Sequence, residues 1–148
     1  LIRLSMGYPD HRSQINILRD RHSENPLDRV QPVVTKDELL ELVQETRNVE
    51  ANDRIFDYVT TLAEATRNHP MVELGVSPRG ALALCRMAKA HAFLAGRDYT
   101  VPEDVAAVFP DVCAHRLILS AKARMMEEKA ENILSEILKS VDMPVLKA

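Results

Sequence analysis

Glycine is scarce in this chain, with four among 148 residues; tryptophan is absent, and aromatic residues make up only 4%. Strand-rich folds lean on aromatic side chains and glycine-marked turns, so this composition argues against an all-β sandwich. There are two cysteines, Cys85 and Cys113, and no CxxC spacing. They read as reduced, buried, small apolar side chains, as expected of a cytoplasmic protein. Neither sign of charge dominates: 19 Lys and Arg stand against 22 Asp and Glu, a formal net charge of −3. That balance gives no general pull toward nucleic acid or an anionic membrane. The longest strictly apolar runs, residues 81–85 and 105–109, hold five residues each. A membrane-spanning helix needs about 20, so membrane insertion is not expected.

What is present points to helices. The chain is 46% apolar and 28% charged, with Ala, Leu, Glu, Arg and Lys dominant. These residues favour helix. A chain of this length can bury about 68–70% of its unfolded surface, enough for one domain, or two small ones, without disulfide or metal. It starts at Leu1 in what reads as a strand over residues 1–5, so it is expected to be a piece of a longer protein.

Punctuation along the chain is clear. Asp10 can cap a helix over about residues 11–22, with Ile15 and Leu18 inward. Thr35 and Glu38 form a T-x-x-E capping box before a stripe of Leu39, Leu42, Val43 and Thr46. Asn52 caps the next helix, whose stripe is Ile55, Val59, Leu62, Ala63 and Thr66; His69-Pro70 stops it. Ser77 can cap and Pro78 suits the first position of a helix over about 78–95 that is apolar on nearly every face, hence central. Gly96 fits its C′ position. A helix opening at Pro102 follows, and Pro110 is expected to break or kink it. Residues 116–119 read as a short extended piece. A last amphipathic helix is expected over about 121–140. Together these predict an all-α bundle of five or six helices, with a strand stub and one small hairpin.

Few constellations could carry chemistry. Gly75 and Gly80 have the spacing of the first half of a phosphate loop, but Ala81 and Leu82 follow where Lys and Ser/Thr are required. No two of the five histidines have H-x-x-x-H spacing, and Cys113 with His115 falls short of a zinc ligand set. The basic cluster Lys122, Arg124, Lys129 and Lys139 is interleaved with Glu127, Glu128, Glu131 and Glu136, which reads as a solvated face and not as a recognition helix. Arg79 is different. It falls in the first turn of the most apolar helix, where a cation opposes the helix dipole and where free N–H groups attract anions. Its planar fork matches phosphate oxygens. Snorkelling to solvent, or pairing with Glu73, is the structural alternative.

The stretch Gly75-Val76-Ser77-Pro78-Arg79-Gly80-Ala81 resembles the sensor-2 motif of the MoxR family of AAA+ ATPases. Met6-Gly7-Tyr8-Pro9, Ala65-Thr66-Arg67, Gly96-Arg97-Asp98-Tyr99, Val101-Pro102-Glu103-Asp104-Val105 and His115-Arg116-Leu117 match in order and spacing, so the resemblance covers essentially the whole chain. It implies a helical lid over residues 10–148, preceded by the final strand and hinge of a large ATPase domain at 1–9. It implies that Arg79 reaches the γ-phosphate of ATP held with Mg²⁺ by that large domain. Gly7, Tyr8 and Pro9 would be the hinge at the edge of the adenine pocket. The parent would hydrolyse ATP, as a hexamer, to remodel client proteins, and would work with von Willebrand factor A domain partners. This piece alone, without Walker A and Walker B, should be inactive. The rival reading is a helical module that binds protein or DNA independently of nucleotide. Arg67, Arg97 and Arg116 also match family positions, and structural pairing with acids or carbonyls is expected of them.

Overall fold

The structure, a computed structural model, describes residues 2–21 and 25–145. Its contacts divide it into two units, residues 4–42 and, with the first residues of the chain, 43–148.

In the unit of residues 4–42, local signals act as the sequence suggests, but apolar burial does not follow. Helix α1 spans His11–Asp20, and the Ser13 N–H donates to the Asp10 carboxylate at 2.7 Å. A 3-10 turn spans Pro26–Arg29, capped by Asn25. Helix α2 spans Lys36–Asn48 and opens with a complete capping box: the Glu38 N–H donates to Thr35 Oγ1 at 3.2 Å, and the Thr35 N–H to Glu38 Oε2 at 2.6 Å. Ile15, Leu18, Leu39 and Leu42, expected to face inward, are exposed. Amphipathic spacing gave these helices a face, but among the described residues of this unit none is buried to receive it. The expected end of α1 at His22 lies outside the described residues. Residues 2–5 carry no strand, because a strand needs a pairing neighbour and none is present among the described residues.

The larger unit holds the core. Helix α3 spans Asp53–Asn68, capped by Asn52, and buries the expected stripe Ile55, Val59, Leu62, Ala63 and Thr66, with Tyr58 added. Strand β1, Val72–Leu74, leads to helix α4, Pro78–Leu94, which buries Gly80, Ala83, Leu84, Ala88 and Ala92. Its other face is open, since Leu82 and Leu94 are exposed. Gly96, at φ 74, follows the Ala95 cap. Helix α5, Pro102–Cys113, packs against α4 and buries Val105, Phe109, Val112 and Cys113.

Pro110 does not break α5. Proline removes one N–H from the ladder, but Phe109, Val112 and Cys113 on either side are fully buried, and the Ala114 N–H still reaches the Pro110 carbonyl. After a 3-10 turn at Ala114–Arg116, strand β2, Ile118–Leu119, pairs antiparallel with β1. The small sheet therefore joins distant segments and is not the hairpin expected.

The long final helix is in fact two helices: α6, Ala121–Met125, and α7, Ala130–Ser140. Glu127 sits at φ 54; its N–H donates to the Arg124 carbonyl, and the Glu128 N–H donates to the Ala123 carbonyl. This is a Schellman stop with glutamate at the left-handed position where glycine is usual. The break turns the chain so that Ile133, Leu134 and Ile137 of α7 complete the core. The described residues thus hold seven α-helices, against the five or six expected.

Candidate functional site

Arg79 stands on a start point that is held tightly. Val76, two residues before Pro78, is fully buried, and consecutive residues at the end of α3 hold its backbone. Its N–H donates to Thr66 Oγ1 at 2.9 Å, and its carbonyl accepts from Arg67 Nε at 2.8 Å. Thr66 in turn donates to the Ala63 carbonyl at 2.6 Å. Both glycines around the motif are demanded by close approach. A Cβ on Gly75 would lie 2.6 Å from the Arg67 nitrogen, and one on Gly80 would lie 2.7 Å from a Val76 methyl.

Ser77 then caps α4, its hydroxyl accepting from the Gly80 N–H at 3.2 Å. Arg79 follows in the first turn and is exposed. Neither its guanidinium nor its N–H has a partner among the described residues. The alternative pairing is not made, because Glu73 lies against Arg124 at 3.5 Å instead. A cation at the positive end of a helix, exposed and without a partner among the described residues, can bind an anion.

Gly7, Tyr8 and Pro9 lie in the other unit. Gly7 is at φ 63 with open space where a Cβ would be, so its role is conformational, and Tyr8 is fully exposed.

A family model described as the AAA lid domain matches residues 64–137, half of the chain. The chain belongs to the AAA lid domain family. It is 37% identical over 148 residues to the uncharacterized protein YeaC of Bacillus subtilis, covering all of this chain and 46% of that protein. It is 29% identical to the chaperone MoxR1 of Mycobacterium tuberculosis, covering all of this chain and 41% of that one. A solved structure of a candidate ATPase from Cytophaga hutchinsonii superposes with a TM-score of 0.87 at 30% identity, over 97% of this chain and 46% of that one. The chain thus spans less than half the length of these relatives, and it is a lid of the MoxR type.

Elsewhere in the lid, charge is used for structure. Asp104 is fully buried at the start of α5. Arg97 grips it with two bonds, Nη1 to Oδ2 at 2.7 Å and Nη2 to Oδ1 at 2.5 Å. The Val101 N–H adds 2.8 Å, and His91 Nδ1 lies 2.7 Å from Oδ1. A carboxylate only accepts, so the His91 proton sits on Nδ1. Burial alone would raise the Asp104 pKa, but the bonds from Arg97, Val101 and His91 outweigh it, and the carboxyl is held below its ordinary value. The network locks the α4–α5 corner, and Asp104 adds the half of a capping box that satisfies the Val101 N–H.

In the sequence Asp104 reads only as a first-turn acid, which misses this role; the one signal for it is Arg97 just beyond the Gly96 turn. Thr66 is missed in the same way when it counts as part of an apolar stripe, although a polar residue in such a stripe is itself a sign of a buried hydrogen bond.

An open cavity of about 500 Å³, lined by Glu45, Val49, Phe93 and Arg97 among others, lies at the opposite end of α4 from Arg79. Burial pushes the Cys113 thiol up to about 12, which removes it as a nucleophile. Among the described residues, no cluster of three metal-ligating side chains is present. No helix among them is long and apolar enough to cross a membrane.

Proposed function

We propose that this lid couples the nucleotide state of a MoxR-type AAA+ ATPase to domain motion, with Arg79 as the sensor that contacts the γ-phosphate of ATP. The observation that carries the reading is the unpaired Arg79 guanidinium on the anchored first turn of α4. A stability-driven sequence would place an acid or a neutral residue there. The role is electrostatic: the fork holds the terminal phosphate before hydrolysis and loses its partner when phosphate departs. Because α4 is packed on α3 and α5, that change in contact moves these three helices together.

Under this reading ATP and Mg²⁺ are bound by the large domain of the parent, residues 1–9 connect that domain to the lid, and Gly7, Tyr8 and Pro9 form the hinge. Assembly as a hexamer, remodelling of client proteins and cooperation with von Willebrand factor A domain proteins belong to the same proposal, in line with the chaperone name of the mycobacterial relative.

The test is Arg79→Ala in the full-length ATPase. Turnover falls by about tenfold or more, as for loss of an electrostatic donor, while the melting temperature is unchanged. Wild-type turnover in a folded variant removes the sensor role.

A further inference from the structure

We propose that Thr66 and Arg67 are positioning residues for Arg79, acting through the Val76 backbone; the inference rests on the sensor reading above. Thr66 Oγ1 takes the Val76 N–H and Arg67 Nε gives to the Val76 carbonyl, so two adjacent side chains at the end of α3 hold both polar groups of one buried residue. Thr66 is itself fixed by its bond to the Ala63 carbonyl. The Gly75 backbone lies so close to Arg67 that no side chain fits between them. Val76 directly precedes the Ser77 cap, and Arg79 lies three residues beyond it. Rotation or translation of Val76 therefore moves the whole first turn of α4 and the guanidinium it carries.

An arginine in the last turn of α3 also suits that helix dipole. That purely structural role would change stability alone. The positioning role changes catalysis, because a shift of about 1 Å at a charge-stabilising group costs up to about a hundredfold in rate.

The experiment places Thr66→Val, Thr66→Ser and Arg67→Ala in the full-length ATPase, each alone and combined with Arg79→Ala, and measures kcat, KM for ATP and melting temperature. Thr66→Val and Arg67→Ala lower kcat about tenfold with KM little changed when Arg79 is present, and by less than about twofold when it is already alanine. Thr66→Ser, which keeps the hydroxyl, restores most of the turnover lost in Thr66→Val. Arg67 is exposed, so Arg67→Ala carries the test where Thr66→Val fails to fold. If Arg79→Ala lowers turnover but the clamp variants do not, or if their effects multiply with it, the positioning role falls and the sensor reading stands. If Arg79→Ala itself leaves turnover intact, both fall.

Discussion

Replacing Asp104 by asparagine tests whether the α4–α5 corner is held by charge. The carboxylate is fully buried and accepts four bonds, two from Arg97 and one each from Val101 and His91. Asparagine keeps the shape, but it turns one acceptor oxygen into a donor that faces other donors. Breaking a buried pair by removing one partner costs about 3–5 kcal/mol. Here the stranded cation has an escape: the Arg97 side chain is 25% exposed and that of His91 46%, so both can turn toward water. The expected loss is therefore smaller, about 2–3 kcal/mol, or a melting temperature lower by about 8 °C for a chain of this size. Urea denaturation of wild type and variant, followed by circular dichroism, measures it.

The pH dependence adds a second reading. The Asp104 pKa is depressed in the fold, so its contribution is fully present above the ordinary carboxylate value near about 3.9 and is lost as pH falls below that value through the folded one. The gap between wild type and Asp104→Asn should stay constant from neutral pH down to about pH 5 and narrow below about pH 4. A gap under about 1 kcal/mol at pH 7, or one that widens on acidification, would refute the charge account.

Two further outcomes follow from backbone geometry. Gly75→Ala should destabilise by about 2–3 kcal/mol in denaturant unfolding, because its Cβ would meet Arg67 backbone atoms that cannot move aside; a change within about 0.5 kcal/mol would show that the approach is looser than described. Glu127→Gly should stabilise by about 1 kcal/mol, since the residue is exposed and left-handed, and an unchanged urea midpoint would count against strain at the α6–α7 stop.

Where a cap and an apolar stripe agree, the helix is legible in the chain itself. Asn52 with the Ile55-to-Thr66 stripe, and Ser77-Pro78 before an apolar run, have the structure expected of them. The departures have physical causes. Met126 through Lys129 offers no glycine or proline, so nothing local announces that Glu127 adopts the left-handed stop that separates α6 from α7. Pro110 announces a break that does not come, because burial on both sides of it outweighs one missing hydrogen bond. Ile15, Leu18, Leu39 and Leu42 have helical spacing, but spacing states only which residues share a face and not what covers that face.

Arg79 stands apart in the chain because it disagrees with its local electrostatics, but it is the family resemblance that makes it the candidate sensor. Arg67 and Arg97 are equally prominent in the chain, yet each has a partner among the described residues, so each is accounted for by the fold. A guanidinium that opposes the helix dipole and has no partner among the described residues contributes nothing visible to stability, which leaves it open to an anion from outside the fold. The surrounding residues strengthen the point. Thr66, Arg67, Gly75 and Gly80 all restrict how α4 begins, and Gly75 and Gly80 leave no room for a side chain. Such restriction is more than a helix cap needs, since Ser77 alone supplies the cap. It is what the proposed sensor role asks for, since there the position of the charge matters and not merely its presence.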